Sequence, residues 1–341
     1  MRHLLERFPE ARVLVVGDFF LDKYLILDAR LTEKSLETGL DAYQVVAKRL
    51  YPGAAGTVTS NLRALDAGTV YAVGMVGCDG EGYELRAGLR ATGVVTDLLV
   101  ECAERFTPTY TKPMLRVDGN ERELNRLDIK NRVPLPSAVE KAILEALQKL
   151  VPQVDAVVVA DQVQERNCGV VTDTVRSELA CLASRHRHVV FIADSRQRIG
   201  EFRDLWVKPN LAEAAAAAGE PVPAGLEGVV PLARTLQARN RRPVYITLGE
   251  QGILCVAEEK VYLAPTLRHT GPIDICGAGD SVMAGIVLAL CAGARPEEAA
   301  VVGNLVASLT VQQIGVTGTT TRNALLGRFG EAGHAFQPRL L

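Results

Sequence analysis

The chain has 341 residues, of which 48% are hydrophobic and 23% charged, with a formal net charge of −2. That length buries a substantial core, as one large α/β domain or a domain with an accessory piece. The near-neutral balance argues against a broad electrostatic surface for nucleic acid and leaves room only for a local basic patch, and seven scattered cysteines without a Cys-x-x-Cys pair point to a reducing, cytoplasmic setting.

No secretory or membrane segment is expected. Residues 1–12 are charged and helix-like, and the apolar run 13–16 is too short for a signal core. Residues 12–17 read as a buried parallel strand that ends at Asp18. In open α/β sheets ligands bind beyond the carboxyl ends of the strands, so Asp18 is placed to accept hydrogen bonds from sugar hydroxyls, with a turn cap as the alternative. Asp22 follows four residues on. Residues 25–50 have no helical period and are expected to form an irregular, partly β insert. Tyr51-Pro52-Gly53-Ala54-Ala55-Gly56-Thr57 then breaks into a helix that carries Asn61 and runs to about Asp66.

A strand at 70–76, a helix to about Thr92 and a hairpin turn at Val117-Asp118-Gly119-Asn120 come next. From Pro136 the pattern settles into α/β repetition, with helices near 137–150 and 170–185 and strands ending in Asp161 and Asp194. Pro209-Asn210-Leu211-Ala212-Glu213 has the form of a helix start, Asn as N-cap and Glu at N3. Thr247-Leu248-Gly249-Glu250-Gln251-Gly252 is a glycine turn between two strands.

Asp274-Ile275-Cys276-Gly277-Ala278-Gly279-Asp280 opens directly into an apolar helix. Small residues let a ligand approach the backbone N–H groups, and the helix start adds unpaired donors and positive dipole, a combination suited to a phosphoryl group. A carboxylate at Asp280 either caps the helix or takes the proton of an attacking hydroxyl. Spacing alone leaves both readings open.

This turn, with Pro-Asn-x-x-Glu and Thr-x-Gly-x-x-Gly ahead of it, resembles the motifs of the ribokinase-like (PfkB) carbohydrate kinases, in the family's order from about Arg12 to Thr320. Gly17-Asp18 through Tyr24 and the runs Thr107–Arg116 and Glu123–Asp128 are most similar to its heptose-7-phosphate kinases. The resemblance implies a single α/β domain over 1–341, a three-layer α/β/α sandwich with a mostly parallel sheet. A small β-sheet lid would come from about 19–50 and 105–131. It implies phosphorylation of a sugar or sugar phosphate with ATP and Mg2+, and leaves activation by a monovalent cation open.

Asp280 would be the base, and Gly277, Ala278 and Gly279 would hold the phosphoryl charge. Asp18, Asp22, Gly53, Ala54, Thr57 and Asn61 would bind the sugar, with Ala54 and Thr57 standing where the family usually has Gly and Asn. Asn210 and Glu213 would arrange phosphates and metal, Glu213 through water. Thr247, Gly249, Gly252 and Asn304 would border the nucleotide. Lys112, Arg116 and Arg126 are candidates for a phosphate already on the substrate, with solvated edge-strand charges as the alternative.

Two copies would pair through the lid, with no nucleic-acid or membrane partner. A separate protein would supply any nucleotidyltransferase step. The rival reading is a kinase-like binding or regulatory protein. A dinucleotide-binding oxidoreductase is disfavoured, because no Gly-x-Gly-x-x-Gly follows the first strand.

Overall fold

Successive side chains of a strand point to opposite faces of its sheet, and the first strand, Arg12–Gly17, shows what this does to the core. Val13 and Val15 enter one apolar cluster with helices Ala55–Ala64, Ala278–Cys291 and Pro296–Thr310. Leu14 and Val16 enter a second, with helices Ser137–Leu150, Asp173–Arg185 and Leu226–Asn240. A strand buried on both faces is what a sheet sandwiched between helices requires. The computed structural model describes residues 1–267, 269, 271–332 and 336–341.

The central sheet has ten strands. From one edge, seven run parallel: Val95–Cys102, Thr69–Gly77, Arg12–Gly17, Ala156–Asp161, Val190–Ser195, Trp206–Val207 and Val244–Thr247. Ile253–Ala257, Lys260–Ala264 and Arg339–Leu340 complete it antiparallel. The order of connection reverses between the first strand and Ala156–Asp161, and a crevice forms beyond strand ends at such a switch point. Asp18, Gln162 and Val163 all lie just past that edge.

A second, five-stranded sheet is built around Phe19–Asp28, which pairs antiparallel with Val45–Ala54 and parallel with Thr109–Val117. Asn120–Glu123 and Leu127–Ile129 complete it. The expected irregular insert over 25–50 therefore contains parts of two ten-residue strands. Their period was hidden by a register shift at Ile26/Leu27 and by Val45–Lys48, whose side chains are all exposed. The helix that follows begins at Ala55, because Tyr51 to Ala54 continue the strand. The hairpin turn forms where Asp118 and Gly119 lie, with φ of 49° and 82°, as a two-residue turn between strands demands. Among the described residues no helix is long and apolar enough to cross a membrane.

Candidate active site

Helix Ala278–Cys291 starts from Gly277, a left-handed N-cap (φ 76°) with no side-chain hydrogen bond at the cap. The turn is confined: a β-carbon on Gly277 would come 2.4 Å from Thr317 Cγ2 and 3.3 Å from Thr57 Cγ2. Asp274 ties it down. Its carboxylate accepts from Cys276 N at 2.9 Å and Gly315 N at 3.0 Å, and its own amide donates to Val311 O at 2.8 Å. The Ala278 amide donates to Ile275 O at 3.1 Å within the turn, so it already has an acceptor. Gly279 and Asp280 belong to the helix's first turn, whose amides have no intrahelical partner.

Asp280 is thus at the third helical position, and the capping alternative does not apply. Its carboxyl is pushed up to about 7 by burial, then by the charge of Asp194, while Lys208 and Arg196 pull the other way. An acid in that range exchanges protons near neutrality.

Across the cleft, strand Val190–Ser195 ends at Asp194 and Ser195, and the Lys208 amide donates to Ala193 O at 2.9 Å. Lys208 is only 2% exposed; its Nζ is 2.9 Å from Asp194 Oδ2. Asn210 caps helix Leu211–Ala218. Its Oδ1 accepts from Glu213 N at 2.9 Å and Glu213 Oε2 accepts from Asn210 N at 2.8 Å. The capping box is real, and the same two residues line the cleft with Asp280, Gly277, Ala278 and Gly279. Burial and the neighbouring Asp194 raise the Glu213 carboxyl.

Among the described residues no cluster of three or more His, Cys, Asp or Glu could cage a metal. The carboxylates here suit Mg2+, which keeps most of its waters and needs sparse protein help.

Thr247, Gly249, Gly252 and Asn304 line the same cleft beside Ile253, Leu267 and Val282. Gly252 has φ 102°, and a β-carbon there would overlap Ala264 O at 2.1 Å. Asn304 is buried and spends its amide donors on Ala264 O (2.9 Å) and Pro265 O (3.1 Å), so it holds the cleft wall in place.

The residues expected at the sugar are arranged otherwise. Asp18 is buried, and its carboxylate accepts from Val170 N at 2.7 Å, Gln162 N at 2.8 Å and Val163 N at 3.0 Å. Most of its accepting capacity therefore organises the loop 162–170. Burial, then the charge of Asp161, pushes its carboxyl up to about 6. It lines a smaller cavity with Tyr110 and Lys130, and Gln162 and Arg196 line both cavities, which joins them.

Asp22 sits 3.6 Å from Lys112 Nζ. A β-carbon on Gly53 would meet Asp22 Oδ2 at 2.4 Å, so any other residue there would force the Asp22 carboxylate to move. Thr57 is buried with its methyl group toward Gly277. Asn61 donates to Thr57 O at 3.1 Å within its helix, and its buried Oδ1 has no hydrogen-bond partner among the described residues. Of the three basic candidates, Arg116 pairs with Glu121 at 3.0 Å at the outer hairpin. Lys112 faces Asp22, and Arg126 pairs with Asp128 through Nε at 2.7 Å and Nη2 at 2.9 Å, 4.6 Å over the Tyr110 ring.

Ala54 has φ 54° and ψ −117°, a conformation that suits glycine. Ala54→Gly should raise stability by about 1 kcal/mol, since relief of roughly 1–3 kcal/mol of strain outweighs the added freedom of the unfolded chain. A higher urea midpoint at unchanged slope is the expected result, and a lower midpoint would show that packing needs the methyl group.

Sequence reasoning missed Lys208 and Arg196 as cleft residues. A lysine between Val207 and Pro209 at the end of an apolar strand was the available signal, because lysine is rarely buried unless paired.

The pattern of pfkB family carbohydrate kinases matches residues 21–322. The bifunctional protein HldE of Desulfatibacillum aliphaticivorans is 29% identical over 338 residues, covering 98% of this chain and 66% of the relative. HldE of Gluconobacter oxydans is 29% identical over 326 residues, covering 94% and 65%. The chain spans just under two thirds of the length of these relatives.

Escherichia coli phosphofructokinase-2 in complex with potassium superposes with a TM-score of 0.69 at 18% identity, over 94% of this chain and 99% of that one. Arabidopsis thaliana ribokinase complexed with ribose and ATP gives 0.68 at 17%, over 93% and 98%. These likenesses establish a ribokinase-like α/β fold, and the match across residues 21–322 establishes that the chain belongs to the pfkB family of carbohydrate kinases.

Proposed function

We propose that the protein transfers the γ-phosphoryl group of ATP to a hydroxyl of a sugar phosphate, with heptose 7-phosphate, at its anomeric hydroxyl, as the leading substrate. The position of Asp280 carries this reading: a carboxyl poised at about 7, not used as a cap, beside first-turn amides in one cleft. Asp280 takes the proton as the sugar oxygen bonds to phosphorus. The bond to the ADP oxygen breaks, and its electron pair leaves with ADP. The amides at the helix start stabilise the charge on the transferring group. Asn210 and Glu213 would hold Mg2+ through water. When bound, Mg2+ neutralises phosphate charge.

Heptose 7-phosphate is supported by the similarity to HldE proteins and by Lys112 on strand Thr109–Val117, a half-buried cation that faces Asp22 beside the cleft. The test is ADP release with ATP, Mg2+ and heptose 7-phosphate, run beside ribose, fructose-type sugars and nucleosides. A sugar-dependent signal strongest with heptose 7-phosphate is expected. ATP binding without turnover on any acceptor would instead favour a regulatory binding protein.

A further inference from the structure

Lys208 is the most deeply buried cation of the cleft. It emerges from the end of strand Trp206–Val207 at 2% exposure, beside the anion turn: a β-carbon on Gly279 would stand 3.6 Å from its Nζ. Asp194 is its ion-pair partner, at 2.9 Å. One carboxylate oxygen occupies one of the three N–H donors of an ammonium.

The surroundings are acidic. Asp194, Glu213, Glu250 and Asp280 line the cleft with Lys208; among the described residues the other basic side chains of the lining are His269 and Arg196, which is exposed and donates to Gln162 Oε1 at 2.9 Å. A polyanionic phosphate chain entering among these carboxylates needs a fixed positive charge close to the transferring group, and Lys208, buried and paired with Asp194, is the cation fixed there. A lysine needed only to neutralise Asp194 would not have to lie against the glycine turn.

We infer that Lys208 is a catalytic residue whose ammonium shares its donors between Asp194 and the non-bridging oxygens of the phosphoryl group in transfer. It remains protonated throughout, and the proton of the sugar hydroxyl goes to Asp280. The inference rests on the phosphotransfer reading above. A preorganised donor that acts on developing charge raises kcat more than it tightens substrate binding.

The experiment compares Lys208→Met, Asp194→Asn and the double variant Asp194→Asn/Lys208→Met, with ATP, Mg2+ and heptose 7-phosphate. Lys208→Met alone leaves the Asp194 carboxylate without its cation, and where that variant folds poorly the double variant, which removes both charges, keeps the test sound. The double variant is expected to fold and to lose about 100- to 1,000-fold in kcat relative to Asp194→Asn, with KM for ATP within about threefold.

A double variant within tenfold of Asp194→Asn in kcat overturns the inference and leaves Lys208 as the counter-charge of Asp194. A loss confined to KM for ATP overturns it as well. A wild-type protein that releases no ADP with any acceptor overturns the phosphotransfer reading, and this inference with it. An active wild type beside an unimpaired double variant overturns this inference alone.

Discussion

Asp280→Asn should lower kcat by about 100- to 10,000-fold, the range expected for loss of a positioned general base. ATP should still bind, because the amide occupies the same space and the proposed nucleotide contacts lie in other parts of the cleft. In the wild type, kcat/KM should rise with pH and level off above about 7, the value to which burial and Asp194 push the free carboxyl. A profile flat from pH 5 to 8, or an Asn variant with wild-type turnover, would remove Asp280 from the reaction.

The same substitution should stabilise the protein at alkaline pH, and the sign follows from linkage. Asp280 has a folded value raised above its ordinary 3.8, so between about pH 4 and 7 the native state binds this proton more tightly than the unfolded chain does. Stability therefore falls as pH rises through that window, and the penalty is fully present above 7. Asn cannot ionise and carries no such penalty. Since part of the side chain remains open to the cleft, a gain on the order of 1–3 kcal/mol is expected at pH 8, shrinking toward zero near pH 4. Denaturant midpoints of both proteins at the two pH values check it. Opposite changes in activity and stability would fit a carboxylate kept at a cost for its function.

What could be read in the sequence follows the range over which each signal acts. Strands 12–17 and 156–161 announce themselves because they are buried on both faces. Gly277 does so because small residues just ahead of an apolar helix leave the backbone open to close approach. Whether Asp280 is a cap or the third helical residue depends on where one helix begins, a shift of three residues that composition does not register. Asn210 and Glu213 form a capping box and also line the cleft, so the helix-start reading does not compete with a role at the cleft.

Asp18 was legible as a strand-end carboxylate. Its three amide partners come from residues 162, 163 and 170, about 150 positions away, and nothing local to residue 18 reveals them. Lys208 was hidden for the same reason: its partner Asp194 is supplied by the neighbouring strand.

The loop that engages Asp18 depends in turn on Asp161, and Asp161→Ala should be the most destabilising single change at this rim. Asp161 is 1% exposed and faces Arg198, also buried. Arg198 donates to Asp161 from Nη2 at 2.7 Å and Nε at 3.2 Å, and Ser195 Oγ donates at 2.6 Å. Alanine would leave the guanidinium buried without a counter-charge, which typically costs about 3–5 kcal/mol. For a chain of this length that corresponds to a fall of about 5 °C in the unfolding midpoint.

Arg198 also donates to Gln164 O at 2.8 Å, so the loss should spread into the segment that gives Asp18 its amide partners. Asp161→Asn keeps the hydrogen-bond acceptor and loses only the charge, and should fall between wild type and alanine. A midpoint unmoved by Asp161→Ala would mean that Arg198 is held by backbone carbonyls alone, and that the ion pair does not fix the loop where the two cavities meet.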